Sequence, residues 1–171
     1  MVPSRATTTA YLGLGSNLGD RAALIRAALH RLEEAGVRVV ARAPLYETEP
    51  VAPEPQPLYL NGAARVETTL APEELLALAL AVERSLGRER SPATAPPTPT
   101  APRPIDIDVL LFADAVIDRP GLVVPHPRLL ERAFVRIPLA DVAIPGLRHP
   151  VTGDRLDTAA PSAGVRRFTG S

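Results

Sequence analysis

Apolar and polar positions change period several times along this chain, and each change marks an element. Residues 9 to 15 (Thr-Ala-Tyr-Leu-Gly-Leu-Gly) form a short apolar run ending in Gly15-Ser16-Asn17, which predicts a first strand. Leu24, Ile25, Ala28, Leu29 and Leu32 then recur at helical spacing, with Asp20 at the head of that helix and Gly36 as its stop. Val37 to Tyr46 is rich in β-formers and predicts strand two. A proline-laden loop, Thr48 to Pro57, separates it from a third strand, Tyr59 to Thr69, in a hairpin-like relation to the second. Pro72, in a first helical turn, opens a second helix through Leu86, and Gly87 closes it. Pro104 to Phe112 predicts strand four.

The order β-α-β-β-α-β is that of the ferredoxin-like split βαβ sandwich, an α+β fold whose antiparallel sheet carries its helices on one face. Beyond it, the pattern predicts a short strand over Leu122 to Pro125, a short helix over Leu129 to Ala133 and a loop-rich tail after Gly146. Residues 91 to 102 (Ser-Pro-Ala-Thr-Ala-Pro-Pro-Thr-Pro-Thr-Ala-Pro) are the one low-complexity segment and read as a flexible loop. At 171 residues the whole chain, 1–171, is expected to be one domain.

Strand four breaks the apolar rule. In Ile105-Asp106-Ile107-Asp108-Val109 two carboxylates lie two residues apart, so they share one strand face while the aliphatic residues take the other. Two strand rises separate their Cβ atoms by roughly 6.6 Å. At an effective dielectric near 20 their repulsion is on the order of 2.5 kcal/mol. A divalent cation offsets such a pair, since Mg²⁺ prefers one or two carboxylates plus substrate phosphates. Two solvated aspartates on an open sheet face are the plain alternative, and the pattern alone leaves both open.

Composition narrows the partners. The formal charge is zero and the pI about 6.8, so no global basic field recruits nucleic acid or an anionic membrane. All 19 basic residues are Arg, which excludes a P-loop lysine and leaves Arg, backbone or metal to grip phosphate. The absence of Cys excludes disulfides, thiolate catalysis and Cys-ligated metals. Met1 to Thr9 has no apolar targeting region and no segment offers 18 consecutive apolar residues, so a soluble, cytoplasmic protein with no membrane partner is expected.

Arg88 and Arg90 leave the second helix and Arg103 enters the carboxylate strand, so three guanidiniums and two carboxylates bracket one loop. Arg forks suit phosphate oxygens, and a metal–nucleotide complex is the economical ligand. Helix-end cations favoured by the dipole are the ordinary alternative. Aromatics are scarce, 4% of residues, so Tyr59 and Phe134 at loop edges are candidate stacking faces for a flat ring. Asn61 shares the strand face of Tyr59 and can hydrogen-bond a heterocycle's edge. His126, between Pro125 and Pro127, reads more readily as a capping or core residue than as a catalytic one.

The order of these signals is specific. Gly13-Leu14-Gly15-Ser16-Asn17-Leu18-Gly19-Asp20, Tyr46-Glu47-Thr48-Glu49-Pro50, Gln56-Pro57-Leu58-Tyr59-Leu60-Asn61, Pro102-Arg103-Pro104-Ile105-Asp106-Ile107-Asp108 and Pro125-His126-Pro127 through Arg132-Ala133-Phe134 together resemble the 6-hydroxymethyl-7,8-dihydropterin pyrophosphokinase family. The likeness runs from about Tyr11 to Ile144. It implies two bound Mg²⁺ ions and the transfer of diphosphate from ATP to the pterin hydroxymethyl group, with release of AMP, in folate biosynthesis. By matching position, Asp106 and Asp108 would hold both ions. Arg88, Arg90 and Arg103 would hold the ATP phosphates, with His126 and Arg132 also on the nucleotide and Glu83 near the adenosine. Tyr59 and Phe134 would sandwich the pterin, while Asn61 and the backbone near Thr48 and Val51 read its edge. No nucleic-acid, membrane or obligate protein partner is expected.

One stretch departs from the family pattern. Thr98, Pro99, Thr100 and Ala101 stand where further basic residues and an aromatic-Gly pair are usual, which bears on closure of the loop more than on the reaction. Two other functions remain open at this level: a different two-metal nucleotide-dependent transferase, which would release pyrophosphate, and a non-catalytic ferredoxin-like ligand-binding module.

Overall fold

The computed structural model describes residues 5–50, 55–88 and 103–170. The elements follow in the order β1 (Thr8–Ser16), α1 (Arg21–Glu34), β2 (Arg38–Arg42), β3 (Tyr46–Thr48), β4 (Tyr59–Thr68), α2 (Pro72–Ser85) and β5 (Asp106–Phe112). After these come β6 (Ile117–Arg119), β7 (Leu122–Val124), α3 (Ala133–Val142) and β8 (Val165–Arg167). A six-stranded antiparallel sheet runs β5-β1-β4-β3-β8, with β2 also paired to β4, and this is the ferredoxin-like α+β core with an added edge strand. The strand expected over residues 37–46 is therefore two strands. Both pair with β4, Arg38–Arg42 against its C-terminal half and Tyr46–Thr48 against its first residues. Between them lies Ala43-Pro44-Leu45, and Pro44 has no N–H to continue the ladder.

Local chemistry sets the helix ends. Asp20 caps α1 by accepting a hydrogen bond from the Ala23 N–H at 3.1 Å. The Glu74 carboxylate reaches back to the Ala71 N–H at 2.9 Å, and Pro72 holds the first position of α2. Both helices stop at a glycine in the left-handed region, Gly36 at φ 94° and Gly87 at φ 96°.

The core helices α1 and α2 lie on one face of the sheet as expected, and the C-terminal extension covers the other. α1 and α2 pack on one side over Leu12, Leu60, Val66, Ile105 and Ile107. On the other side Leu139 and Val142 of α3 and Leu156 of the tail cover Tyr11, Ala63, Leu110 and Leu111. A register shift opposite Tyr11/Leu12 admits one extra residue into β5, so the adjacent Leu110 and Leu111 both join this second core. The Tyr46 hydroxyl also donates to Asp141 of α3. The helix expected over Leu129–Ala133 is instead a run of turns, and the true helix starts at Ala133. Pro138 inside it removes one backbone donor, and burial of Leu139 and Val142 outweighs that loss. The tail is loop-rich as expected, yet it buries Leu156 and returns to the sheet as β8. The loop expected at 91–102 lies outside the described residues.

Candidate functional site

Asp106 and Asp108 alternate with buried Ile105, Ile107 and Val109, so the predicted division of strand faces holds. Their cross-strand neighbours on β1 are Gly15 and Gly13 respectively. These glycines are ordinary strand residues and leave the sheet bare beside the carboxylates. A Cβ on Gly15 would meet the Asn61 Oδ1 at 3.1 Å and a Tyr59 ring carbon at 3.7 Å. The Gly-Leu-Gly run is thus a floor without side chains, next to the residues that line a wall.

Arg88 reaches this floor because of how α2 ends. With Gly87 left-handed, the Arg88 N–H bonds to the Glu83 carbonyl at 3.1 Å and the Gly87 N–H to the Arg84 carbonyl at 3.1 Å, a paired helix stop that folds Arg88 back over Glu83. The Arg88 Nη1 then donates to the Glu83 Oε2 at 2.5 Å and the Asp106 Oδ1 at 2.7 Å. Glu83 Oε2 also accepts from the Ile107 N–H at 2.9 Å, which ties α2 to β5. Arg103 lies 3.4 Å from the same Asp106 oxygen. Its backbone is held by Asn17, whose Oδ1 accepts from the Arg103 N–H at 2.8 Å while the Asn17 N–H donates to the Arg103 carbonyl at 3.1 Å. The Asn17 Nδ2 donates to Gln56 at 3.1 Å, so one buried amide joins the two loops that flank the site.

Beside the carboxylates opens a cavity of about 300 Å³. Tyr59, Asn61 and Thr48 line it from β4 and β3, Phe134 and Arg132 from the start of α3, and Arg103, Asp106 and Asp108 from β5 and its approach. Inside it the Asn61 Nδ2 donates to the Thr48 Oγ1 at 2.6 Å, and both residues are buried. The Arg132 guanidinium stands 5.5 Å from the Phe134 ring centroid. Ten of the thirteen residues singled out from the sequence fall on or behind this cavity. Glu83, expected near the adenosine, is 2% exposed and supports Arg88 from behind. His126 borders a separate groove with His149 and Val151, where its Nδ1 accepts from the Arg128 N–H at 3.1 Å. Arg90 and Val51 lie outside the described residues. Sequence reasoning missed Asn17, Gln56 and Arg128: the first two stood in recognised motifs, but no local pattern announces a loop clamp, and Arg128 carried no signal apart from its charge.

The electrostatics follow from burial. Asp108 lines the cavity, and burial, then the charges of Asp106 and Glu83, push its pKa up to about 7 against the opposing pull of Arg103 and Arg132. Glu83 is raised by burial despite its Arg88 partner and its bond from Ile107. Burial works against the Arg88 charge, but Asp106 and Glu83 outweigh it and raise its pKa. Burial and nearby Arg132 lower His126, and burial raises Tyr59. Among the described residues no group of three or more His, Cys, Asp or Glu is placed to hold a metal ion. No helix among them is long and apolar enough to cross a membrane.

The protein is an α+β protein of ferredoxin-like fold whose sheet carries paired carboxylates, guanidiniums and an aromatic-lined cavity on one face. The family model described as 7,8-dihydro-6-hydroxymethylpterin-pyrophosphokinase (HPPK) matches residues 11–144, and the chain belongs to that family. It is 41% identical over 165 residues to a 2-amino-4-hydroxy-6-hydroxymethyldihydropteridine pyrophosphokinase of Pseudomonas aeruginosa, covering 94% of this chain and 97% of that protein. It is 43% identical over 134 residues to the Bacillus subtilis protein of the same name, covering 78% and 77%. It also matches the folic acid synthesis protein of Schizosaccharomyces pombe at 39% identity over 166 residues, 94% of this chain; it spans only about a fifth of that protein's length (21%). Among solved structures, Plasmodium falciparum HPPK-DHPS with pterin and p-hydroxybenzoate superposes with a TM-score of 0.68 at 17% identity, over 92% of this chain and 42% of that one, a likeness of fold.

Proposed function

We propose that this chain carries out its family's reaction in the cavity described above, transferring diphosphate from ATP to the hydroxymethyl group of 6-hydroxymethyl-7,8-dihydropterin and releasing AMP. The observation that supports it most is one cavity lined both by the Asp106/Asp108 pair with Arg103 and by Tyr59, Phe134 and the Asn61–Thr48 pair. The first group suits a metal-bound polyphosphate and the second a flat heterocycle with polar edges.

In this reading Asp106 and Asp108 hold two Mg²⁺ ions, which when bound neutralise phosphate charge and make the β-phosphorus more electrophilic. Arg88 and Arg103 exchange Asp106 for phosphate oxygens, joined by Arg90, while Arg132 and His126 serve the nucleotide. Tyr59 and Phe134 stack the pterin, and Asn61 with the backbone near Thr48 and Val51 fixes its edge. The hydroxymethyl oxygen forms its bond to the β-phosphorus as the bond between that phosphorus and the AMP oxygen breaks, and the hydroxyl proton leaves to water. Phosphoryl transition states are loose, so orientation and guanidinium charge can supply the catalysis without a dedicated base. The test is product analysis with ATP, Mg²⁺ and the dihydropterin. AMP with a diphosphorylated pterin supports the reading; pyrophosphate release, or no turnover, overturns it.

A further inference from the structure

Behind the wall of the cavity, on the helix side of the sheet, one guanidinium gathers three parts of the chain. Arg21 is the first residue of α1, and its Nη2 lies 2.9 Å from the Glu47 Oε2 on β3. Its Nη1 donates to the Leu58 carbonyl at 2.9 Å, just before β4. Its central carbon stands 5.5 Å from the ring centroid of Phe168, in the tail. The ion pair is largely enclosed, with side-chain exposures of 23% and 26%. Strand alternation turns Glu47 away from the cavity, while its neighbour Thr48 faces into it; Leu58 directly precedes Tyr59. Thr48 and Tyr59 face each other across the ladder, so Arg21 holds both strands at their last paired step. The tail closes the same corner: β8 pairs Val165 with Thr48, and the Phe168 N–H donates to the Leu45 carbonyl at 2.8 Å.

We propose that Arg21, braced by Phe168 of the tail, is a positioning residue for the heterocycle: it sets Tyr59 and Thr48 for the pterin from the far side of the sheet. This rests on the reading of that wall as the pterin site. A guanidinium is suited to the task, because its planar fork serves a carboxylate and a carbonyl at once and its face accepts an aromatic ring. A lysine offers a point charge that can keep one of these partners at a time. The tail residues 165–168, outside the residues 11–144 that the family model matches, thereby tune the affinity of a site they do not line.

The test compares Arg21→Ala, Arg21→Lys, Phe168→Ala and Tyr59→Ala in the full chain. Binding of 6-hydroxymethylpterin is measured by calorimetry with a non-hydrolysable ATP analogue present, and KM is set against kcat for both substrates. Arg21→Ala is expected to weaken pterin binding and raise pterin KM about tenfold, by analogy with the low end of the cost of losing a group that orients a metal ligand. ATP KM and kcat should stay within about twofold. Arg21→Lys should recover part of the loss, and Phe168→Ala should shift pterin affinity less, in the same direction. If Tyr59→Ala weakens pterin binding while Arg21→Ala leaves it at the wild-type value, the positioning role is refuted and the site stands. Equal losses for pterin and ATP would reduce Arg21 to a structural residue and overturn the proposal. If Tyr59→Ala has no effect, the pterin-site reading fails and takes this inference with it.

Discussion

Asp108 carries a cost that can be measured without any substrate. Its carboxyl lines the cavity with a pKa of about 7, against an ordinary value of 3.8. A carboxyl whose folded pKa is raised contributes stability below its unfolded pKa and loses it as pH rises through the folded one. For Asp108 that loss accumulates between about pH 4 and pH 7 and then levels off. The full gap corresponds to about 4 kcal/mol, and cavity water screens part of it, so this is a ceiling. Asp108→Asn keeps the shape and removes the charge, so the metal-free variant should be more stable than wild type. The gain should be small near pH 4.5, grow through pH 7 and stay flat above it. With about 2–4 °C of melting temperature per kcal/mol for a chain of this size, a gain of several degrees is expected at pH 8. Thermal melts followed by circular dichroism in EDTA from pH 4.5 to 9 give the answer. A variant less stable at pH 8, or a gain that does not change with pH, would refute the burial and charge argument. Adding Mg²⁺ should raise the wild type more than the variant, since a ligand bound only by the folded state adds its own stabilisation.

Three more outcomes follow from the same geometry. Asp106→Ala should abolish most AMP release while circular dichroism shows the fold retained; near-normal release would remove Asp106 from the metal site. Tyr59→Ala or Phe134→Ala should weaken pterin binding by about 1–3 kcal/mol per lost stacking face, by analogy with base stacking, and leave ATP affinity nearly unchanged in calorimetry; equal losses for both ligands would contradict separate subsites. Gly15→Ala places a methyl 3.1 Å from the Asn61 Oδ1 and should raise pterin KM several-fold by tilting that amide, and an unchanged KM would show that Asn61 does not read the pterin edge.

The fold was legible where a single period ran without interruption. β1, α1, β4, α2 and β5 lie within three residues of their expected bounds, since each combines a clean apolar pattern with a capping residue, a proline or a stopping glycine. Pattern failed where tertiary contacts overrule a local rule. Pro44 splits a run that reads as one strand, and Pro138 hides a helix that survives through the burial of Leu139 and Val142. The second helical face was also hidden, because Tyr11, Ala63 and Leu110 are covered by residues far along the chain, such as Leu139 and Val142 of α3.

For the site, alternation put Asp106 and Asp108 on one face, and scarcity singled out Tyr59 and Phe134. What sequence could not convey is how charge is held before ligand arrives. Arg88 is aimed at Asp106 by a backbone device, the left-handed Gly87, and by the buried Glu83 behind it. A glycine after a helix reads only as a stop, and a glutamate inside one reads as a solvated charge. Here the stop folds the chain back so that the next residue meets the carboxylate one turn earlier, where an apolar contact commonly sits. The carboxylate strand thus reaches ligand already partly neutralised by guanidiniums. On the proposed reading, a metal-bound polyphosphate entering this face would draw Arg88 and Arg103 from Asp106, so the charges that offset strand repulsion in the free protein would be those available to phosphate in the complex.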